Sequence, residues 1–512
     1  MKKILIVSAL SIGLAVSCSD DELNKVNPNG VTFDTYFNNE SELTAGVNGI
    51  YALVQSNSLV SREWFFTHDL RGDEMASGGG QLETPRNQLL IGVHDTGNGL
   101  INSIWQGWYR TIHRANIVLE KGAKVQGVPA ANRDRLLGEA RFLRAWAYYE
   151  LATFFGGVPL YKEFVKSVNG SLPRSSQKEV YDFAIADLKE AEKGLAASYS
   201  GANLGRATKS AAQLLMARIY LQQGDYTNAR TELKKIIDSG LYRLVDNYVD
   251  ITTEEGEFNA ESIFEVVYAP SGGAYNWGAD SDGSAVQEET VRSQEYAAIA
   301  WRNVIPSNKI LNEYEMVAKG DTKDDPRYAF SYWTEGDMFN NGTTVLTSSM
   351  VQGNTSVVNG KTLKVSWRKY SLMYKSSAAN QQSGINMRIM RYADVLLLMA
   401  ECENELGNSA AAISLMNQVR ARKSVAMPSY PTKNFPVANK DQVFDAIVHE
   451  RMVELAAEQI RNFDIVRWRK NKKLKTEPLS YFQANKHELL PIPQQEIDNS
   501  PALDIKDQNP GY

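Results

Sequence analysis

Apolar residues recur at i, i+3, i+4 and i+7 over residues 105–119, 136–155, 180–195 and 444–468. That spacing lays a hydrophobic stripe along one side of an α-helix, so each stretch predicts an amphipathic helix. Two further segments carry one set of small and large apolar residues twice. Ala217, Gly224, Ala229, Leu233 and Ile236 are matched by Ala400, Gly407, Ala412, Met416 and Val419, each 183 positions later. A constant offset is the sequence mark of a repeat. In each set two helices meet at the glycine, the alanines let them approach, and the larger residues fill the groove between them.

Paired helices of this build resemble tetratricopeptide repeats and predict a mainly α, helical-repeat scaffold, an α-α superhelix. Between 269 and 382 the helical period gives way to Gly, Ser, Asn and Asp with scattered aromatics, interrupted by one helical stretch at 307–318. A long loop-rich insertion on a rigid scaffold is ordinarily where function sits.

The N-terminus reads as an address. Lys2 and Lys3 precede an apolar run from Ile4 to Val16, the charged and hydrophobic parts of an export signal. The run is shorter than the roughly 20 residues that cross a bilayer. Leu14, Ala15, Val16 and Ser17 lead into Cys18 and then Ser19-Asp20-Asp21-Glu22. This resembles a bacterial lipobox followed by the acidic surface-export signal of Bacteroidota lipoproteins. The resemblance implies cleavage before Cys18, acylation of its thiol, and firm anchoring in the outer membrane by several chains, facing the exterior. The plainer alternative is a cysteine at the end of an ordinary secretory leader. With Cys18 acylated, Cys402 has no partner and the chain has no disulfide. The expected organisation is a signal at 1–17, acylated Cys18 and a polar tether at 18–35, an N-terminal helical region at 36–265, and a C-terminal region at 266–512 that holds the insertion.

A chain of 512 residues, 43% hydrophobic and 22% charged with a net charge of −5, is globular rather than disordered. It lacks the basic footprint that nucleic acid requires.

Several blocks in fixed order resemble the SusD/RagB family of glycan-capturing surface lipoproteins. In the first half they are Leu43-Thr44-Ala45-Gly46-Val47-Asn48-Gly49-Ile50-Tyr51, Arg114-Ala115-Asn116, Gly138-Glu139-Ala140-Arg141-Phe142-Leu143-Arg144-Ala145 and Phe155-Gly156-Gly157-Val158-Pro159-Leu160. The second half adds Asp324-Asp325-Pro326-Arg327-Tyr328, Arg391-Tyr392-Ala393-Asp394-Val395-Leu396-Leu397, Glu450-Arg451-Met452-Val453-Glu454-Leu455-Ala456, Leu490-Pro491-Ile492-Pro493 and Gln508-Asn509-Pro510-Gly511-Tyr512. The resemblance implies a protein that sits as a lid over a SusC-like TonB-dependent transporter, its helical scaffold against the barrel and its loops toward the ligand. Charges within these blocks need partners, so Arg391, Asp394, Glu401, Arg420, Glu450, Glu454 and Arg467 are expected in buried or half-buried ion pairs rather than in a site.

A sugar ring offers C–H faces and hydroxyl edges, so its site needs an exposed aromatic platform rimmed by polar groups. Trp105, Trp108, Trp146 and Trp468 fall in amphipathic helices and are expected in the core. Trp367, beside Arg368-Lys369-Tyr370, lies in a block that resembles a structural motif. Four tryptophans remain as ligand-binding candidates. Trp277 follows Tyr275 and Asn276 between Gly272, Gly273 and Gly278; Trp301 precedes Arg302 and Asn303; Trp333 lies beside Tyr332 and Glu335; and Trp64 precedes a polar loop. In that loop Arg71 and Asp73, with Asp69 and Glu74, stand before Gly78-Gly79-Gly80 as hydrogen-bonding candidates. Asp73 equally suits a turn cap.

Catalytic signals are weak. Among 60 acidic residues no pair is singled out as the two carboxylates of a glycoside hydrolase. The five histidines show no H-E-x-x-H spacing, and no G-x-S-x-G or P-loop occurs. Asp280, Asp282 and Gly283 hint at a calcium loop without its remaining alternating ligands. No catalytic residue, metal ligand or cofactor is assigned. The expectation is a non-catalytic surface glycan binder that hands its ligand to a SusC-like transporter. The alternatives are a binder of peptide or another nutrient on the same scaffold and, less favoured, a glycoside hydrolase.

Overall fold

Side-chain caps start the helices. Asn39, Asn98, Thr208, Asp225 and Asn439 each accept a backbone N–H of the turn that follows, and Ser176 forms a reciprocal capping box with Glu179. Each such cap is worth about 1 kcal/mol. In the computed structural model, which describes residues 36–167, 170–269, 275–277 and 288–512, the longer helices of the first half are α1 (Glu40–Val54), α2 (Glu63–Leu70), α3 (Thr84–Ile91), α4 (Gly99–Gly122), α5 (Ala130–Phe155), α6 (Gln177–Gly194), α7 (Lys209–Gln222) and α8 (Tyr226–Asp238). The second half supplies α9 (Tyr392–Glu405), α10 (Ser409–Arg420), α11 (Lys440–Glu454) and α12 (Arg461–Lys470). The leader, Cys18, the tether, Gly272, Gly273, Gly278 and the Asp280-Asp282-Gly283 run lie outside the described residues. None of the described helices is long and apolar enough to cross a membrane.

The repeat is real in space. Gly224 and Gly407 turn their hairpins with φ of 74° and 90°, left-handed values that cost glycine nothing. Ala217, Ala229, Leu233 and Ile236 are fully buried, as are Ala400, Ala412, Met416 and Val419. Helix α8 packs directly on α9, so the two hairpins stack and the chain between them is extruded as one excursion. A single hydrophobic cluster reaches from Leu43 to Ile497. Leu490 N donates to Phe154 O at 2.7 Å, tying the C-terminal segment to the end of α5.

Two helix expectations are corrected. The stretch 444–468 is not continuous: α11 ends at Glu454, α12 begins at Arg461, and Ala457 and Gln459 between them are left-handed, at φ 57° and 58°. Ala457 donates its N–H to Glu74 and accepts from Arg292, while Glu458 pairs with Arg391 and Lys369. An unbroken helix would consume those backbone groups. The stretch 307–318 keeps only the turn Asn308–Leu311 and a 3-10 turn at Val317–Lys319. There the N–H groups of Met316 and Val317 go to the carboxylates of Asp321 and Asp324, which compete with the helical carbonyls.

The insertion holds more structure than its periodicity suggests. Antiparallel pairs join β1 (Met75–Ser77) to β3 (Val304–Pro306), β4 (Tyr332–Trp333) to β5 (Ser366–Trp367), and β2 (Ser262–Val266) to β6 (Met387–Arg391). Ala297, Trp333, Phe339, Leu346, Val351 and Met373 form a satellite core within the insertion. The strands inside the insertion are two or three residues long, too short for a period-2 pattern to register, while the five-residue β2 and β6 flank it.

All seven expected structural charges are buried and paired. Arg391 meets Glu261, Glu454 and Glu458 at 3.0, 2.9 and 2.6 Å. Arg327 joins Asp325, Glu450 and Glu454, while Arg420 joins Glu315 and Glu450. Arg467 holds Glu401, and Asp394 receives Arg451.

One consequence is measurable. Burial alone would lower His449, but its hydrogen bond to Glu313, at 2.8 Å, and the Glu315 carboxylate 3.6 Å from its other ring nitrogen hold it up at about 9. Burial pushes the Glu74 carboxyl up to about 8 against the pull of Arg461. Both groups bind a proton more tightly folded than unfolded. His449 therefore contributes in full below its unfolded value of 6.5 and loses that contribution as pH rises to about 9. Glu74 loses its own between 4.5 and about 8. Urea unfolding free energy is expected to fall by on the order of 3 kcal/mol from pH 6.5 to 9, with a His449→Gln variant showing a flatter profile. Equal slopes for the two proteins would remove His449 from the account.

Candidate functional site

Of the nine tryptophans only two are exposed, Trp277 at 45% and Trp301 at 38%. They lie together, ring centroids 5.7 Å apart and planes within 27°. Trp301 is positioned by backbone on both sides: its N–H donates to Gln294 O at 3.0 Å, and its carbonyl accepts from the Gln352 side chain at 3.0 Å. The next residue, Arg302, is left-handed at φ 52° and turns its guanidinium inward. There it donates to Ser366 Oγ and to the carbonyls of Gln352, Asn354 and Val365 at 2.7–2.9 Å. No carboxylate balances it among the described residues, and burial lowers its pKa to about 10. Arg302 thus works as a hydrogen-bonding post under Trp301.

Gly78 closes the same corner. It continues from β1, donates to Asn303 O at 2.8 Å and accepts from Asn354 N at 2.7 Å. A Cβ on Gly78 would lie 1.7 Å from Arg302 O, and one on Gly353 would lie 2.0 Å from Gly78 O. Gly78→Ala is expected to push the Arg302 backbone outward, cost on the order of 1–3 kcal/mol and loosen Trp301. Thermal unfolding and indole fluorescence check this; a variant with unchanged melting and emission would show that the corner yields freely.

Trp277 is held differently. Tyr275, two residues earlier, buries its ring against Trp277 at 4.6 Å, donates its hydroxyl to Asn57 Oδ1 at 2.6 Å and shares a hydrogen bond with Ser61 Oγ at 2.8 Å. The Arg62 guanidinium lies 5.0 Å from the centroid of the Trp277 ring. Arg62 also donates to buried Glu295 and to half-exposed Glu83, each at 2.8 Å. Burial works against its charge, but Glu295 and Glu63 raise its pKa. Glu83 accepts from Arg86 as well, and together these arginines hold its carboxyl below the usual range against a partial burial that acts the other way. Exposed Gln81 reaches Gln352 at 3.4 Å. The result is an indole pair rimmed by Asn276, Gln81, Gln352, Glu83 and Arg62, able to take C–H faces on the rings and hydroxyls at the edge.

The other candidates are elsewhere. Trp64 is inside α2, 4% exposed and packed on His68 and Trp146. Trp333 is 1% exposed, paired with Ser366 across β4–β5 and covered by Arg368. Asp73 pairs with Arg461 at 2.7 Å and with Lys309; burial opposes its charge, yet those cations hold it down to about 2. Arg71 is buried and donates to His487 O. These four are structural, because each is surrounded by groups from distant parts of the chain. Tyr275 is corrected from contact to anchor, since its hydroxyl points into the fold. Sequence reasoning missed Arg62, Gln81, Glu83 and Gln352. Nothing in their local pattern marks them, apart from the glycine that follows Gln352.

No group of three or more His, Cys, Asp or Glu side chains suited to a metal occurs among the described residues. Cys402 is a buried free thiol, its pKa raised by burial.

Comparison with known proteins identifies relatives of the chain in sequence and fold. Residues 260–512 match a family model described as the SusD family, and residues 21–221 match one described as starch-binding associating with outer membrane. Residues 211–239, the α7–α8 hairpin, match a tetratricopeptide repeat. A SusD-like protein P2 of Formosa agariphila is 28% identical over the whole of both chains. A SusD superfamily structure from Bacteroides vulgatus superposes with a TM-score of 0.77 at 23% identity, covering 93% of this chain and 100% of that one. A laminarin-binding SusD-like protein superposes at 0.74 with 25% identity and the same coverage.

Proposed function

The chain belongs to the SusD family, and from that premise we propose that it captures a glycan at the cell surface on the Trp277–Trp301 pair and releases it chemically unchanged to a partner transporter. The observation that carries the reading is the pair itself. Two large apolar rings exposed side by side cost solvation free energy that a sugar face recovers. Seven other tryptophans of the same chain are buried. A relative that binds laminarin shares the fold.

The finer assignment follows the family resemblance. Cys18 carries the lipid anchor, the tether lets the body rise from the outer membrane, and a SusC-like TonB-dependent transporter receives the ligand. Capture would shift the lid toward its closed state by as much as the glycan prefers the closed complex to the open one.

The test is affinity electrophoresis of the chain from Ser19 onward through gels containing laminarin, starch, xylan, mannan or pectin, followed by product analysis. Retardation by a glycan recovered at its original length supports capture without catalysis. Shortened chains would reassign the protein to hydrolysis, and migration unaffected by every polymer would move it to the peptide reading. The transporter assignment is checked by pull-down from solubilised outer membranes, where the absence of a TonB-dependent barrel would overturn it.

A further inference from the structure

A second cleft runs along α4 and shares no lining residue with the tryptophan pair. It consists of two cavities of about 440 and 270 Å³ that meet at Tyr109, His113 and Glu496, a size in the range of small-molecule sites. Trp105, Tyr109 and His113 recur every four residues on one side of α4, the spacing of an aromatic row. Such a row usually disappears into a core. Here it does so only at its start, since Trp105 is 1% exposed while Tyr109 is half-buried and His113 exposed. Tyr161 faces Tyr109 edge-on at 5.8 Å. The Tyr109 hydroxyl is tied to Pro159 O at 2.9 Å, which fixes the ring.

Glu496, from the short helix Gln494–Asn499, supplies the acceptor. Its Oε2 takes the Trp105 indole N–H at 3.1 Å, and it makes no ion pair among the described residues. Burial raises its pKa against that single hydrogen bond. A partly desolvated carboxylate without a cation is costly unless a ligand brings donors to it. Its two oxygens suit the adjacent hydroxyls of a sugar, the aromatic row suits the C–H face, and the exposed Gln106 amide adds a donor and an acceptor. Glu496 stands where the two cavities meet and disfavours an anion there, Arg110 and Arg114 being confined to the wall of the larger one, and a metal ion lacks further carboxylates here. The cleft also adjoins the first site through one short segment: Arg110 on its wall donates to Ser58 Oγ at 2.6 Å, and neighbouring Asn57 receives the Tyr275 hydroxyl beneath Trp277.

We propose that this cleft is a second carbohydrate site, taking one or two neutral sugar units. It rests on the reading of the protein as a glycan binder and extends that reading to a second contact, which would lengthen residence of a polymer by raising its effective local concentration.

The Trp105 indole reports on the cleft without reference to transport. The chain from Ser19 onward, labelled with ¹⁵N-tryptophan, gives indole signals assignable by single Trp→Phe substitutions. It is titrated with laminari-, malto-, cello-, xylo- and manno-hexaose. The expected result is a saturable shift of Trp105 with at least one hexaose beside shifts of Trp277 and Trp301. Glu496→Gln should weaken the Trp105 response tenfold or more and leave the other two, and exposed Gln106→Ala should weaken it several-fold without touching the core. Movement of Trp277 and Trp301 with Trp105 fixed would overturn the second site and leave the first standing. Movement of Trp105 alone would support the cleft and overturn the platform, and stillness of all three against every hexaose would overturn both.

Discussion

Alanine at Trp301 is expected to weaken glycan binding about 30-fold, a loss of roughly 2 kcal/mol typical of a central aromatic contact. Trp301 is the better of the two rings to remove because its setting is independent of it. Its backbone is held by Gln294 and Gln352, and the post beneath it is Arg302, whose four hydrogen bonds do not involve the indole. At 38% exposure the ring contributes little core, so melting temperature should stay within a degree or two. Trp277→Ala should give a comparable loss. The double variant should lose less than the sum, because the rings touch at 5.7 Å and each orders the other. Calorimetric titration with a glycan retained in electrophoresis measures all three. An affinity unchanged in Trp301→Ala would take the ligand off this platform.

The largest effect on stability is expected at Glu454. Its carboxylate meets Arg391 at 2.9 Å, Arg422 at 2.7 Å and Arg327 at 3.1 Å, with every partner fully buried. Burial opposes its charge, yet Arg422, Arg391 and Arg327 hold its pKa well below the ordinary carboxylate range. Glu454→Gln keeps the shape and removes the charge, leaving three guanidinium groups short of an anion in a dry interior. Removing one partner of such a set costs about 3–5 kcal/mol. Guanidinium unfolding should show a lower midpoint by that amount. The exposed Lys234–Asp238 pair of α8 is the contrast, since Asp238→Ala should change stability by less than about 0.5 kcal/mol. Equal costs at the two positions would mean that the buried network is not a keystone. Because Glu454 carries a depressed pKa, its contribution is present above the unfolded value of 4.5 and is lost as pH falls below it, opposite to His449.

The helices were legible because a 3.6-residue period and a capping side chain are properties of neighbours. Residues 105–119 and 136–155 fall within α4 and α5, 180–195 overruns α6 by Leu195 alone, and the 183-residue offset appears as two stacked hairpins. The break at 455–460 was not legible. It depends on Glu74 and Arg292, 383 and 165 positions upstream, taking the backbone of Ala457. The buried ion pairs were legible as a class, since charges inside apolar helices need partners, but their division into two networks, one around Glu454 and Glu450 and one around Asp464, was not.

The candidate site divides along the same line. Trp301 and Trp333 look alike on paper, each a tryptophan beside polar residues in a segment without periodicity. In the fold Trp333 is paired across β4–β5 beneath Arg368, whereas the inward turn of Arg302 leaves Trp301 at the surface. Likewise Arg71 and Asp73 read as a polar loop, yet His487 and Arg461 enclose them from the far end of the chain. By itself the sequence determined the helical-repeat scaffold, the family likeness and the kinds of residue that bind sugar, because these rest on local period, order and chemistry. Tertiary structure alone decided which of those residues meet solvent, because exposure is set by what packs on a side chain from elsewhere.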